Sequence, residues 1–403
     1  MNKVQTKQQK SILHRLFAIK PKETSPHISE EKTHSDQEMR NTFLSKQKGF
    51  TPDYIKEFYI EHLVATQNIG FLMHSKLRNI SIVYDTIKDC ESSFESDLNK
   101  ITLSKEINFD ELDDIKVVLH KMEHAYVNFV HEKRGKEISG LQTERATYFA
   151  SPQTNKFEIT SLESCEKKPK EDNYDNKLGL SLIGEFLNEA MVEYSARKTY
   201  AEFLKKEFDK NLPMIKSKLS LMESPAELLP RRLFCYGKHT LTYSHSSYAL
   251  NLHCAQMLAN TIGHPIEELI EINRSSQNGF EQLELAYNNL NPSNNYAFHN
   301  LTCDFDELGY YDDIYSICDP RDKACETKIN QLLSKVQKDM ITQLVTGFKN
   351  KCICRCIFEE RANKLINFAT NDIIKAYMKN TVNEGIGKPY NRIIETEPYP
   401  HLA

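Results

Sequence analysis

Glycine is scarce in this chain, at 13 of 403 residues. The sequence contains no Gly-x-Gly-x-x-Gly, no phosphate-binding Gly-Lys-Ser/Thr loop and no Gly-x-Ser-x-Gly turn. Each of these motifs needs glycine because its backbone must turn tightly or approach a ligand closely. The sequence therefore argues against nucleotide binding through a glycine-rich loop and against a serine nucleophile on a strand-to-helix turn.

Long apolar runs are also lacking. None approaches the roughly 18 residues that a membrane-spanning helix needs. The N-terminus is polar, and its one apolar patch, 12–19, is interrupted by His14 and Arg15. We therefore expect a cytoplasmic protein with no secretory signal and no integral membrane segment, leaving export without a cleaved signal open. Residues 1–42 are polar and are expected to form a disordered tail.

Neither charge nor cysteine content points to a special class of protein. A net charge of −4 and a sequence pI near 6.4 give no electrostatic footprint for nucleic acid. Ten cysteines in a chain of this length do not indicate a disulfide scaffold, so reduced thiols are expected. Cys352, Cys354 and Cys356 alternate without the Cys-x-x-Cys spacing of a zinc knuckle, and we expect them to be small buried side chains.

Apolar periodicity predicts an α+β fold that is predominantly helical. Strands are expected near 80–84 and 100–104 and in a hairpin over 146–160; helices are expected over 115–130 and from 178 to about 206. Beyond Pro213 the pattern is almost wholly helical, apart from a polar connection over 291–320. We divide the chain into a tail (1–42), a metal-binding domain (43–210) with a small sheet, and a helical C-terminal domain (211–403).

Two short stretches carry the candidate chemistry. In His120-Lys-Met-Glu-His124 the imidazoles stand at i and i+4, which places them on one helix face with the spacing that a zinc ion needs. In Asn188-Glu-Ala-Met-Val-Glu193, Glu189 offers an oxygen ligand and Glu193 lies one turn on. Two histidines and one glutamate leave a fourth coordination position open, as in catalytic rather than structural zinc sites.

Together these stretches resemble the gluzincin, or thermolysin-like, metallopeptidases over residues 78–205. The resemblance implies a zincin-like core that hydrolyses peptide bonds, with His120, His124 and Glu189 as zinc ligands. It also implies that Glu193 does not bind zinc itself but orients a ligand histidine. The strand at 101–104 is implied to line a cleft for a peptide or protein substrate.

The general base of the family follows the first histidine, where this chain has Lys121. The motif is also His-x-x-Glu-His, the inverted pattern of the insulysin-like inverzincins, in which Glu123 takes the base role. We favour the resemblance to gluzincins because Ala125 and the sequence Asn-Glu-Ala-x-x-Glu-Tyr match the pattern of that family. Glu123, taken from the inverted pattern, is the candidate base, and His245 is the candidate group that stabilises the oxyanion.

Three hypotheses remain open at this stage. The first is an active zinc metallopeptidase, and the second is a zincin-like binding or regulatory protein that has lost its base. The third is a helical interaction protein without metal. Tyr243 and Tyr248 are further candidates for the oxyanion-stabilising role, because gluzincins place a His or Tyr downstream for it.

Overall fold

In the computed structural model, Phe50–Ala403 belongs to one compact unit. The predicted domain boundary at 210/211 falls inside that unit and stays a prediction, and the predicted tail lies outside the described residues. The structure describes residues 50–85, 92–95, 98–105, 107, 112–131, 140–151, 156–161, 181–223, 234–236, 241–243, 248–275, 278–317 and 323–387.

Helices dominate the described part of the chain, which confirms the predicted predominantly helical α+β class. They are α1 (Pro52–Gln67), α2 (Phe71–Arg78), α3 (Leu112–His131), α4 (Glu185–Glu207), α5 (Pro213–Glu223), α6 (Ala249–Ile262), α7 (Ile266–Ser275), α8 (Gly279–Asn288), α9 (Ala297–Ile317), α10 (Lys323–Lys349), α11 (Arg355–Asn367) and α12 (Asp372–Ile386). None of these described helices is long and apolar enough to cross a membrane.

The strands form three small sheets. They are β1 (Ser81–Asp85), β2 (Ser92–Glu95), β3 (Lys100–Ser104), β4 (Thr143–Ser151), β5 (Lys156–Ser161), β6 (Ser181–Ile183), β7 (Phe234–Tyr236) and β8 (Leu241–Tyr243). The first sheet has the order β1-β3-β2, the second has the order β5-β4-β6, and β7 pairs with β8. β4 and β5 are the predicted hairpin, with Ala146 opposite Ser161.

α4 is the central helix of the fold, because it packs against α3, α5, α6, α7 and α9. Its buried residues lie all round the helix, among them Phe186, Met191 and Tyr200. A helix that is buried on most sides belongs largely to the core. Packing therefore fixes α4, although Glu189 is partly exposed and Lys198 and Glu202 are exposed.

β3 is the central strand of its sheet, parallel to β1 from Lys100 to Ser104 and antiparallel to β2 from Lys100 to Leu103. Its backbone groups already pair with both neighbours, so a peptide could not add to β3 as a further strand, which needs a free sheet edge. The expectation that the strand at 101–104 lines a substrate cleft does not depend on such pairing and stays a prediction.

Three sequence expectations differ from the structure. The predicted helix from 178 begins only at Glu185, since 181–183 is a strand. The polar connection predicted over 291–320 contains the 21-residue helix α9, whose Phe298, Phe305 and Leu308 are fully buried. The C-terminal half also contains the short pair β7–β8. The segment of α9 was predicted to be a connection because it is rich in Asp and Tyr, although its apolar residues recur at helical spacing.

Candidate metal centre

The two predicted motifs meet where α3 packs against α4. On α3, Val118, Leu119 and Met122 are fully buried and fix the helix against the core. This packing leaves the face with His120 and His124 turned toward α4. On α4, Glu189 and Glu193 lie one turn apart and point back at those histidines.

His120, His124 and Glu189 converge on one point. Each offers a ligand atom within 4.8 Å of the others, a group that could hold a metal ion. The two imidazole Nε2 atoms are 3.1 Å apart. Glu189 Oε2 lies 3.5 Å from His120 Nε2, and Glu189 Oε1 lies 3.2 Å from His124 Nε2. Three potential ligands from two rigid helices thus face a common space.

Glu193 hydrogen-bonds to the Nδ1 atom of His120, on the side of the ring opposite to the other potential ligands. Its Oε2 lies 3.0 Å from His120 Nδ1, which orients the ring and favours the tautomer with the proton on Nδ1. The Nε2 lone pair of His120 is then directed at the shared point. The geometry is the one predicted for Glu193, and its orienting role toward a metal ligand stays a prediction.

Two cations share the other oxygen of Glu193. Lys116 Nζ and Arg197 Nε each donate to Oε1 at 2.6 Å. Burial opposes ionisation of Glu193, but Lys116, His120 and Arg197 outweigh it and hold the pKa of this carboxyl far below its usual value. Glu193 therefore stays charged, and it presents a fixed acceptor to His120.

The cluster is buried on one side and reachable on the other. The side chain of His120 is 4% exposed, against 16% for His124 and 24% for Glu189. Burial lowers the pKa of His124, and the charge of Lys121 adds to this shift, so His124 favours the neutral form that binds metals. Although burial opposes it, His124 and His120 hold the pKa of Glu189 well below its usual value. His124 and Glu189 thus both favour the protonation states of metal ligands.

Glu123 lies in a different environment. Arg274 on α7 donates from Nε to Glu123 Oε1 at 2.7 Å and from Nη2 to Oε2 at 2.8 Å. The hydroxyl of Tyr59 on α1 donates to Oε2 at 2.7 Å, and Arg274 also contacts Ser195. The Glu123 side chain is 1% exposed. A general base needs an oxygen within reach of the proton that it abstracts, and here both oxygens are held inside a bidentate ion pair.

Burial of Glu123 opposes its ionisation, but Arg274 and Tyr59 keep the pKa of this carboxyl below its usual value. The partner Arg274 is almost fully buried, and its pKa is raised despite that burial. These features are those of a structural ion pair joining α1, α3 and α7. The geometry gives no support to Glu123 as the base, which was our prediction.

Three residues, Tyr243, His245 and Tyr248, were candidates for stabilising the oxyanion, and Tyr248 contacts the cluster. Its ring centroid lies 4.7 Å from that of His120, with the planes tilted by 32°. Tyr248 precedes α6 at a φ of 61°, a left-handed conformation that is uncommon outside glycine. His245 lies outside the described residues, and Tyr243 ends β8. The sequence named Tyr248 but gave no reason to rank it above His245.

The start of α4 is held by a distant carboxylate that the sequence analysis missed. Asp306 on α9 accepts from the backbone N–H of Gly184 at 2.8 Å and of Phe186 at 2.9 Å. Gly184 has a φ of 100°, and a Cβ there would lie 2.4 Å from the carbonyl oxygen of Leu141. Gly184 therefore serves the turn into α4 rather than close helix packing. No local signal could reveal Asp306, since it is 120 residues from Phe186.

A cavity lies away from this cluster, on another face of α4. Its volume is about 820 Å³, and its lining includes Ser195, Thr199 and Arg274 but none of His120, His124 and Glu189. The cavity therefore does not serve as the space around a metal ion.

No protein-family model, no curated protein and no solved structure matches this chain. The relation to gluzincins accordingly stays a resemblance, and the functional argument rests on the geometry of the cluster.

Proposed function

We propose that this protein binds a zinc ion through His120, His124 and Glu189, and that the site supports hydrolysis of a peptide bond in the manner of gluzincins. The observation that carries the proposal is the convergence of two Nε2 atoms and a carboxylate, with Glu193 fixing the His120 tautomer. Two imidazoles and one carboxylate are the donor set of a catalytic zinc site.

The residues present fit such an ion in three respects. The protonation states favoured by the surroundings of His124 and Glu189 are those of ligands. The outer hydrogen bond from His120 to Glu193 is of the kind that orients metal-bound histidines. The partly exposed side at Glu189 leaves access for a further ligand. A bound zinc ion would supply a Lewis acid that polarises a carbonyl group and makes water more acidic.

The chain itself would bind and orient the reacting groups. Glu193 keeps His120 fixed through a hydrogen bond that Lys116 and Arg197 anchor. Tyr248, packed on the His120 ring, is placed to line the space that a carbonyl group would enter. Lys121 occupies the position of the general base in gluzincins, and its positive charge contributes to lowering the pKa of His124. A protonated lysine can hold an anionic group but cannot accept a proton.

A specific observation favours a second candidate function, in which the same ion is bound without turnover. The position of the gluzincin base is Lys121, and the nearby carboxylate Glu123 is held by Arg274. A protein with this arrangement would use the zinc site to bind a peptide or to stabilise its fold. The two candidates share the metal and differ only in hydrolysis.

Metal content tests what both candidates share. Untagged protein is measured by plasma mass spectrometry beside a His120→Ala/His124→Ala variant. His264→Ala is the matched control, because that histidine is partly exposed and pairs with Glu268 instead. We expect near one zinc per chain in the wild type and the control, and almost none in the double variant. Failure to bind zinc even after reconstitution would show that the two motifs meet without a metal function.

Hydrolysis is then tested with a peptide library, using mass spectrometry to detect new termini. The zinc-loaded wild type is compared with chelator-stripped protein, zinc-restored protein and the double histidine variant. Cleavage that disappears and returns with zinc supports the peptidase. Full zinc occupancy with no cleavage supports the second candidate.

A further inference from the structure

Three cysteines are exposed between the end of α10 and the first turn of α11, contrary to the expectation that they are buried. They are Cys352, Cys354 and Cys356, and Cys354 is the N-cap residue of α11. The sequence pattern could not reveal this, because small apolar side chains at alternating positions suit a strand as well as a turn. The turn contains Lys351, which has a φ of 61°.

Two of these thiols are in direct contact. The Sγ atoms of Cys354 and Cys356 lie 2.9 Å apart and share a hydrogen bond. A disulfide needs a separation of about 2.05 Å, so closing the bond requires the sulfur atoms to approach by less than about 1 Å. Both side chains are exposed, so a reagent can reach them without local unfolding.

The surroundings of the two sulfur atoms differ. The Cys356 thiol and the backbone N–H of Ile357 both hydrogen-bond to Cys354, and together they lower its pKa. The same contact raises the pKa of Cys356. Both cysteines lie at the N-terminus of α11, where the positive end of the helix dipole stabilises a thiolate, so the hydrogen bonds distinguish them and the dipole does not. Cys354 is thus the better nucleophile at neutral pH, and Cys356 is its immediate neighbour.

Three other cysteines, Cys254, Cys303 and Cys325, are buried. Burial raises the pKa of Cys303 to about 12, and it also raises the pKa of Cys254. Buried thiols with raised pKa values are inert toward exchange. Cys354 and Cys356 are therefore expected to react in preference to these three thiols.

Metal binding explains the three cysteines less well. Among the residues that the structure describes, the one group of three or more potential ligands that converge is His120, His124 and Glu189. Cys352 is therefore not brought together with the other two thiols as a third metal ligand. Its sulfur instead contacts the backbone oxygen of Asn350 at 3.9 Å.

We propose that Cys354 and Cys356 form a redox-active dithiol that exchanges with small-molecule disulfides of the glutathione type. The Cys354 thiolate attacks one sulfur of the disulfide, forming a mixed disulfide and releasing one glutathione thiolate. The Cys356 sulfur then loses its proton to solvent and attacks Cys354, which releases the second glutathione. The protein loses two electrons and two protons, and the oxidised glutathione becomes two molecules of the reduced form.

The test uses the full chain and oxidised glutathione. After incubation, free thiols are blocked with N-ethylmaleimide and the protein is digested with trypsin. Trypsin cuts after Lys351, Arg355 and Arg361, which places Cys354 and Cys356 on separate peptides. We expect peptides 352–355 and 356–361 to be joined by a disulfide within monomeric protein and to separate on reduction.

Three single variants identify the participating residues. Cys352→Ser should keep the linked peptides, whereas Cys354→Ser should abolish them. Serine is a favoured N-cap residue, so α11 should persist in the latter variant. Cys356→Ser should retain glutathione on peptide 352–355, because the second attack is blocked. Linked peptides in Cys354→Ser, linkage found only in covalent dimers, or no linkage in the wild type would each overturn the proposal.

Discussion

Glu123 lies on the histidine helix α3 and Glu189 faces that helix from α4, and their environments suit the two carboxylates to different chemistry. Glu189 faces two imidazoles that can share a metal ion with it, on a side that solvent reaches. Glu123 faces an arginine that occupies both of its oxygens in the interior. A carboxylate needs lone pairs directed at the reacting group to serve as ligand or base. The partner of each carboxylate therefore decides its chemistry more than its distance from the histidines along the chain.

The comparison is sharpened most by putting a carboxylate next to the proposed metal ligands, at the position of Lys121. Lys121→Glu gives this chain the histidine-glutamate order that gluzincins have. Because a positioned general base contributes about 10²- to 10⁴-fold, peptide cleavage by the zinc-loaded variant should rise by about that factor. Lys121→Gln removes the charge without adding a base and is the control. Equal rates in the two variants would show that position 121 does not face the reacting groups.

The second prediction breaks the ion pair on the other side of the helix. Arg274→Met should lower the free energy of unfolding by about 3–5 kcal/mol, because Glu123 would remain buried without its cation. Chemical denaturation measures the change, and Arg274→Met/Glu123→Leu should recover much of it. Lys198→Ala is the control, since its pair with Glu267 is exposed and should change stability by less than about 1 kcal/mol. A small loss in Arg274→Met would contradict the structural role.

This expectation also changes how a Glu123→Gln variant is to be interpreted. Loss of activity in that variant would follow from loss of the Arg274 contact as readily as from loss of a base. Stability and zinc content must therefore be measured beside turnover. Retained hydrolysis in Glu123→Gln would remove this residue from the mechanism.

The third prediction concerns Glu193, which hydrogen-bonds to His120 beside the proposed metal site. Glu193→Gln should weaken zinc affinity by about 10- to 100-fold, because outer hydrogen bonds to ligand histidines have effects of that size. Competition with a fluorescent chelator gives the affinity. Glu267→Gln, which also removes a lysine partner but away from the cluster, is the matched control. Unchanged affinity in Glu193→Gln would mean that the His120 orientation is set by packing alone.

The smallest expected effect, taken per pH unit, is at Asp306, which holds the start of α4. Burial raises the pKa of Asp306 to about 8 from a usual value of 3.8, although the N–H groups of Gly184 and Phe186 oppose the shift. Between these two values the folded protein binds a proton that the unfolded chain has released. Stability from this group is therefore full below about pH 4 and declines as pH rises through about 8, by at most about 1.4 kcal/mol per pH unit.

Asp306→Asn should flatten that decline, because the amide does not titrate. Denaturation midpoints measured for both proteins across this pH range give the two slopes. Identical slopes would indicate that the two backbone donors keep Asp306 ionised throughout. The zinc content of Asp306→Asn should match that of the wild type if α4 remains in register.

The spacing of residues in the sequence correctly predicted which side chains share a face of a helix, because the helical period fixes their directions. His120 and His124 share a face because they are four residues apart, and the same holds for Glu189 and Glu193. The hairpin β4–β5 was found from its turn residues and alternation. The helix α9 was missed, since its composition resembles that of a loop and its apolar stripe gains meaning only from the helices packed on it.

The sequence by itself determined the two helices, the three groups that could hold a metal ion and the carboxylate of Glu193 one turn from Glu189, because these features depend on residue type and helical period. Only the tertiary structure decided that Glu123 pairs with Arg274, 151 residues away, and that Tyr248 packs against His120. It also decided that β3 is a central strand and that Cys354 and Cys356 are exposed. These features depend on which distant elements pack together, and the spacing of neighbouring residues does not determine that packing.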